Sequence, residues 1–189
     1  MFKWQSMVGY VYPWKATVLE NLIKQHVDSN TNCIEVGVLC GKSLMHLLEV
    51  GKPKHVFGID PFTGKHQQTV QFKDLLDIDI NYDTQYDYDR VTDHFKEFDN
   101  VTIIKDYSPL HNYEMPEIGY AFIDGNHYYD NVLADAEWIY SLMQKGIMVF
   151  DDYDLDGVAE ALDVFAEKHN LTISTSDNRE LAWILVKKG

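Results

Sequence analysis

The sequence predicts an α/β fold built on a doubly wound, mostly parallel sheet with helices on both faces. Three observations lead to this prediction. Short apolar runs alternate with longer segments of helical periodicity, and most of the short runs end at an aspartate or a glycine. The chain has 189 residues, which is the usual length of one domain. Residues 1–189 are therefore expected to form a single domain.

Helices and strands alternate along the first half of the chain. Residues 14–26 repeat apolar side chains every three or four positions, which predicts a helix within an N-terminal helical cap formed by residues 1–31. Residues 62–86 show no clear periodicity and are predicted to form an insertion that is suited to act as a lid. The other predicted elements are, in order, a strand at 32–36, a helix at 42–50, a strand at 55–59, a helix at 87–98 and a strand at 101–105.

The second half of the chain repeats this alternation and then departs from it. A helix over 130–144 is expected to end at Gly146, and it lies between two apolar runs of strand length. Residues 175–180 are too few for a crossover helix, so the last two strands are predicted to pair as an antiparallel hairpin. The predicted elements of this half are strands at 120–123 and 147–150, a helix to about 169, and strands at 171–174 and 181–186.

Composition restricts the partners and the compartment. The 16 basic and 30 acidic residues give a net charge of −14, which repels nucleic acids and anionic membrane surfaces. Neither class of partner is therefore expected. Cys33 and Cys40 form no C-x-x-C pair, which indicates reduced thiols in a cytoplasmic protein. The first residues contain no apolar signal core, and no stretch of the chain is as long as a membrane span.

A glycine loop and an aspartate indicate where a ligand binds. In Rossmann-like sheets, ligands lie beyond the carboxyl ends of the strands. Gly37 and Gly41 follow the first strand and allow a ligand to approach the backbone closely, although an ordinary strand-to-helix turn also explains them. The loop is one residue short of a phosphate-binding Walker motif, which disfavours the binding of a nucleoside triphosphate. Asp60 ends the second strand, 23 residues after Gly37, where an acidic side chain typically binds ribose hydroxyls.

Three carboxylates end two further strands. Asp124, Asp151 and Asp152 are expected to meet at one edge of the sheet, where like charges need a proton or a cation between them. A divalent ion such as Mg²⁺ fits oxygen ligands, but one helix-capping and two solvated carboxylates would also explain the pattern. The run from Asp152 to Asp163 is similar to a calcium loop, but it follows a strand and lacks the final glutamate. His127 is a candidate general base, or it merely orients Asp124.

These motifs together resemble those of the class I S-adenosylmethionine-dependent methyltransferases. The resemblance is to the small group with an I-D-G-x-H signature, which is similar to the macrocin-type and catechol-type O-methyltransferases. It covers roughly residues 15–187 and is carried by Ile34–Ser43, Gly58–Asp60, Phe122–His127 and Val149–Asp152. The resemblance implies a cofactor site that contains Glu35, Gly37, Gly41, Ser43, Asp60, Asp106, Tyr107 and Asp124.

The resemblance also implies the role of each group. Glu35, Gly37 and Ser43 would lie along the methionine part of S-adenosylmethionine, Asp60 would bind the ribose, and Asp106 and Tyr107 would lie near the adenine. The implied catalytic residues are His127 and Asp124, and the implied ligands of a divalent ion, most simply Mg²⁺, are Asp124, Asp151 and Asp152. Asn126 stands where the group commonly has an aspartate.

The predicted function is methyl transfer to an oxygen of a small hydroxylated molecule. The oxygen, the methyl group and the sulfur must be aligned, and the acceptor must lose a proton. The alternatives are a non-catalytic module that binds a nucleoside or S-adenosylmethionine, and a hydroxylase-like or sugar-modifying enzyme on the same scaffold. The N-terminal segment is rich in Tyr and Trp, which is compatible with a homo-oligomer.

Overall fold

The computed structural model describes residues 3–7, 11–63 and 84–189. Within these ranges the helices are a short 3-10 helix (Lys3–Ser6), α1 (Pro13–His26), α2 (Lys42–Gly51), α3 (Thr84–Phe95), α4 (Tyr129–Ser141) and α5 (Asp156–His169). The strands are β1 (Asn32–Val36), β2 (His55–Ile59), β3 (Val101–Ile104), β4 (Tyr120–Ile123), β5 (Lys145–Phe150), β6 (Ile173–Thr175) and β7 (Ala182–Lys187). No helix in the described ranges has both the length and the apolar character needed to cross a membrane.

The described strands form a seven-stranded sheet of order β3-β2-β1-β4-β5-β7-β6. The neighbouring strands from β3 to β5 are parallel, and β7 is antiparallel to both β5 and β6. The doubly wound α/β fold and the C-terminal hairpin are thus confirmed. The strand order reverses at β1, which has β2 on one side and β4 on the other. Such a switch point opens a crevice at the carboxyl ends of the two central strands.

Apolar side chains on both faces of the sheet explain its two helical layers. Successive strand residues point to opposite faces, so Cys33 packs in one cluster with α1, α2 and α3, whereas Ile34 packs in the other with α4 and α5. All four residues of β4 are buried, as expected for a central parallel strand. The helices therefore cover both faces and leave the carboxyl edge of the sheet for polar residues.

Several predicted boundaries were wrong. Gly146 does not end a helix: α4 already ends at Ser141, and Gly146 lies inside β5. A Cβ atom on Gly146 would lie 2.1 Å from the carbonyl oxygen of Gly119, so close backbone approach explains this glycine. Helix α3 runs from Thr84 to Phe95, earlier than the predicted 87–98. Most of the predicted insertion at 62–86 lies outside the described residues.

Candidate functional site

Backbone hydrogen bonds continue past the strands and align the first residues of the loops. The N–H of Gly37 donates to the carbonyl oxygen of Ile59 at 2.9 Å, and the N–H of Asp124 donates to that of Val36 at 2.8 Å. The N–H of Asp151, which follows β5, donates to the carbonyl oxygen of Ile123 in β4 at 3.0 Å. The sheet thus brings the predicted site residues that follow β1, β2, β4 and β5 to one edge.

Asp60 holds the glycine loop in place. Its side chain is 2% exposed, and its Oδ2 atom accepts the N–H groups of Val38 and Leu39 at 3.0 and 2.9 Å. Its Oδ1 atom accepts the N–H of Phe62 at 2.7 Å. A carboxylate has about four acceptor positions, so these three contacts leave one position unused. The N–H groups of Val38 and Leu39 are bound to Asp60 rather than presented to a phosphate, which agrees with the rejection of a Walker loop.

Gly37 allows the glycine loop to lie directly against the strand-end residue of β4. Its φ angle is +87°, and a Cβ atom there would lie 1.9 Å from the carbonyl oxygen of Asp124. Gly41, with φ of +76°, precedes α2 and packs against the ring of Phe95. Any side chain at Gly37 would therefore push the glycine loop away from Asp124.

Glu35 and Ser43 face the protein interior. Ser43 Oγ donates to Glu35 Oε1 at 2.7 Å, and burial raises the pKa of Glu35 well above its ordinary value. The Glu35 carboxyl lines a cavity of about 10 Å³, together with His46 and apolar residues of α1, α2 and β4. His46 stacks on Trp4 at a centroid distance of 4.2 Å. Glu35 thus lies behind the glycine loop, and its predicted role in binding the cofactor stays a prediction.

His127 lies between two carboxylates at the sheet edge. Its Nε2 atom is 3.2 Å from Asp152 Oδ2 and 3.7 Å from Asp124 Oδ1. The side chain of His127 is 16% exposed, that of Asp152 is 23% exposed and that of Asp124 is 34% exposed, so a solute can still reach the group. The three residues offer ligand atoms that all lie within 4.8 Å of one another.

The proximity of these charges changes their protonation. Burial and the charge of Asp151 raise the pKa of Asp124 to about 7. The same two causes raise the pKa of Asp152 above its ordinary value. Burial alone would lower the pKa of His127, but the hydrogen bond to Asp124 and the charge of Asp152 raise it. Of the three groups, the Asp124 carboxyl, with its pKa of about 7, is therefore suited to exchange a proton near neutral pH.

Backbone contacts position both Asp152 and His127. Asp152 has a left-handed φ of +53°, a conformation that aspartate tolerates better than most residues, and its N–H donates to Asp151 Oδ1 at 2.9 Å. The carbonyl oxygen of His127 packs against Gly157 at the start of α5, where a Cβ atom would lie 2.6 Å away. These contacts direct Asp152 and His127 toward each other.

Lys15 is a site residue that the sequence analysis missed. Its Nζ atom lies 2.6 and 2.8 Å from the two carboxylate oxygens of Asp151, and the two side chains are 6% and 5% exposed. A signal was present in the sequence, because Lys15 lies four and seven positions before Leu19 and Leu22 and so shares their buried helix face. A lysine on such a face needs a buried carboxylate as its partner.

The predicted metal ligands are therefore only partly brought together. Asp124 and Asp152 meet beside His127, but both oxygens of Asp151 are bonded to Lys15. The set Asp124, Asp151 and Asp152 does not fit a shared divalent ion in this arrangement. The set that does converge contains an imidazole nitrogen, whereas Mg²⁺ prefers oxygen ligands.

Asp106 and Tyr107 follow β3, the strand beside β2. The N–H of Tyr107 donates to Asp106 Oδ1 at 2.8 Å, and the Tyr107 side chain is 66% exposed. The aromatic ring is thus open to a planar ligand group on the Asp60 side of the crevice, and the adenine contact stays a prediction. Tyr12 and Trp14 lie beside Lys15 at the start of α1.

A sequence model of the family described as "Methyltransferase domain" matches residues 34–153, which is more than half of the chain. The chain belongs to this methyltransferase family. The matched segment contains the glycine loop, Asp60, Asp124, His127 and Asp152, whereas Lys15 lies before it. Membership of the narrower I-D-G-x-H group stays a prediction.

Individual proteins are similar to this chain in sequence or in fold. An uncharacterized protein, R132 of Acanthamoeba polyphaga mimivirus, is 28% identical over 156 residues, which are 79% of this chain and 63% of the viral protein. The chain thus spans less than two thirds of that relative. The O-methyltransferase NovP has a TM-score of 0.67 at 13% identity, covering 92% of this chain and 80% of NovP. SMU.1697c from Streptococcus mutans, solved in complex with SAH, has a TM-score of 0.64 at 14% identity. The match covers 95% of this chain and 99% of SMU.1697c.

At such low identity, the solved structures establish the fold alone. They include proteins named as rRNA methylases as well as O-methyltransferases. The class of methyl acceptor must therefore be argued from the residues of this chain.

Proposed function

We propose that this methyltransferase transfers a methyl group from S-adenosylmethionine to an oxygen of a small hydroxylated molecule, with His127 as the general base. The observation that carries the proposal is the position of His127 between Asp124 and Asp152, on the residues that follow β4 and β5. Asp124 lies directly against Gly37 of the glycine loop. A base in this place is next to the crevice in which ligands of such sheets bind.

The cofactor is proposed to lie across the ends of β1 and β2. Asp60 would accept a ribose hydroxyl at its remaining acceptor position, and Gly37 would let the cofactor approach the backbone. Asp106 and Tyr107 would contact the adenine. Glu35, Gly41 and Ser43 would shape the loop around the methionine part, and Asp124 would close that end. SMU.1697c, which has the same fold, was solved with the demethylated product SAH.

The reaction is an in-line displacement at the sulfonium methyl group. The acceptor oxygen forms a bond to the methyl carbon while the bond from carbon to sulfur breaks, leaving S-adenosylhomocysteine. The hydroxyl proton passes to the imidazole of His127, whose positive charge is stabilised by Asp152 and Asp124. General base catalysis of this kind contributes about 100-fold to 10,000-fold. No step runs through Mg²⁺ or another divalent ion, because Asp151 is bonded to Lys15.

The net charge of −14 supports a small molecule, rather than a nucleic acid, as the acceptor. An RNA would meet an acidic surface and an acidic site. The insertion at 62–86 follows β2 and, as part of the proposal, would contribute to acceptor choice within the single domain. The cytoplasmic location and a homo-oligomeric state are kept as predictions.

Calorimetry and radiolabel transfer test the proposal. The wild-type protein is expected to bind S-adenosylmethionine and S-adenosylhomocysteine, and to transfer tritiated methyl groups to members of a panel of catechols and sugars. His127→Ala is expected to retain cofactor binding and to lose activity by about 100-fold or more. The matched control is His169→Ala, because His169 is also paired with a carboxylate, Glu137, but lies at the end of α5.

Each outcome has a defined meaning. Absence of binding of either cofactor form would refute the cofactor assignment. Binding without transfer to any hydroxyl would favour the non-catalytic module. Transfer to RNA, but to no small molecule in the panel, would refute the acceptor class.

A further inference from the structure

The buried ammonium group of Lys15 takes part in no step of the proposed methyl transfer. Lys15 lies on α1, more than a hundred positions before Asp151 in the chain, yet its Nζ atom contacts both oxygens of that carboxylate. A lysine side chain is almost never buried to this extent unless it is paired. The protein thus maintains a charged pair at the edge of its site.

Lys15 acts electrostatically on Asp124, Asp151 and Asp152, which we call the acidic rim. Burial by itself would lower the pKa of Lys15, but the charge of Asp151, supported by those of Asp124 and Asp152, raises it above its ordinary value. In turn, Lys15 opposes the increase in the pKa of Asp152. Carboxylates this close together need a proton or a cation between them, and Lys15 provides a cation from within the chain.

The contact also determines the geometry around Asp152. Asp151 Oδ1 accepts both the ammonium group of Lys15 and the N–H of Asp152, which lies in its left-handed turn. That turn places the Asp152 carboxylate 3.2 Å from His127 Nε2. A connected path of contacts therefore runs from Lys15 through Asp151 to the base.

The start of α1 surrounds the ammonium group. The ring centroids of Tyr12 and Trp14 lie 6.0 and 5.7 Å from Lys15 Nζ, within the range of cation–π contacts. A metal ion that drew Asp151 away would leave this ammonium group buried without its carboxylate, an arrangement that proteins avoid.

We propose that Lys15 is a positioning residue that supplies the cation of the acidic rim, so that the protein holds Asp151 and Asp152 in place without a divalent metal ion. This inference deepens the proposed function and rests on it, because it concerns the acceptor side of the same site. Its direct consequence concerns metal affinity, which can be measured without turnover.

The test is a titration of Mn²⁺ by electron paramagnetic resonance, which counts the free ion. Chelator-treated wild-type protein is expected to show no saturable binding below about 100 µM, a range in which built oxygen sites commonly bind divalent ions. Lys15→Met removes the positive charge and frees Asp151, so Mn²⁺ affinity is expected to rise about tenfold or more. Lys15→Arg is the matched control, because it keeps the positive charge and offers two donors to the Asp151 carboxylate; the folded variant should show no gain in Mn²⁺ affinity.

The double variant Lys15→Met/Asp151→Asn is expected to lose the gain in affinity, which assigns the new site to the acidic rim. Saturable binding of Mn²⁺ by folded wild-type protein below about 100 µM would overturn the proposal, whether or not Lys15→Met folds. An unchanged affinity in folded Lys15→Met would overturn it as well. Calorimetry with S-adenosylmethionine on the same samples tests the proposed function separately, since cofactor binding does not depend on Mn²⁺.

Discussion

Replacing Asp60 by asparagine tests whether one carboxylate holds the glycine loop in place. Asp60 accepts three backbone N–H groups, two on Oδ2 and one on Oδ1. An asparagine keeps one oxygen and gains an NH₂ group, which donates. In either orientation of the amide, the NH₂ group must face a backbone N–H that has no other acceptor in these contacts.

The magnitude follows from the better of the two orientations. With its oxygen toward Val38 and Leu39, the asparagine loses the bond to the N–H of Phe62 and places two donors against each other at a buried position. A buried donor without an acceptor costs about 1–3 kcal/mol, and the two retained bonds become weaker as the charge is lost. We therefore expect the free energy of unfolding to fall by about 3 kcal/mol.

Urea denaturation of the cofactor-free protein measures this loss, and calorimetry with S-adenosylmethionine measures the effect on binding. Cofactor affinity is expected to fall about tenfold or more, because the loop is displaced and the ribose loses a charged acceptor. Asp99→Asn is the matched control, since Asp99 is exposed. An unfolding free energy within about 0.5 kcal/mol of wild type, the usual range for surface substitutions, would show that these bonds contribute no net stability.

Three further predictions concern the same site. Gly37→Ala should lower the free energy of unfolding by at least about 2 kcal/mol in urea, because of its left-handed φ and its contact with Asp124, whereas Gly189→Ala, which meets nothing within 4 Å, should not. Glu35→Gln should change stability by less than about 1 kcal/mol below pH 4.5, where the carboxyl is protonated in the folded and the unfolded chain alike. Wild-type stability should fall as pH rises above 4.5 toward the raised pKa, since the folded state retains the proton longer, and a Glu35→Gln variant that kept this slope would contradict the assignment. The rate of methyl transfer should rise with pH above 6.5, because His127 must be neutral to act as a base and its pKa is raised; a rate that falls over this range would exclude that role.

The fold was predictable because its signals are local. Apolar runs of strand length and helical periodicity located each α-helix and each strand of the described ranges to within a few residues. One error arose at a glycine that is required by a tertiary contact rather than by a helix end. Gly146 was interpreted as a helix end, but the close approach of Gly119 accounts for it. No local pattern distinguishes these two causes.

Glu35 is a second residue whose surroundings no local sequence pattern reveals. Its position beside the glycine loop correctly placed it at the end of β1. Strand alternation then directs its side chain to the α1 and α2 face, into a cavity shared with His46. The direction in which each strand-end residue points depends on the register of the sheet, which the sequence does not specify.

The amino-acid sequence by itself determined the alternation of elements, and with it the row of polar residues at the carboxyl edge, because parallel strands end on the same side. Tertiary packing alone decided which of these groups meet. Asp151 is bonded to Lys15 because α1 packs on the face of the sheet that the strands leave apolar, and this contact across 136 positions has no counterpart in local sequence. Asp124 and Asp152 therefore pair with His127, whereas Asp151 pairs with Lys15. The chemistry proposed for the chain depends on these two separate sets of contacts.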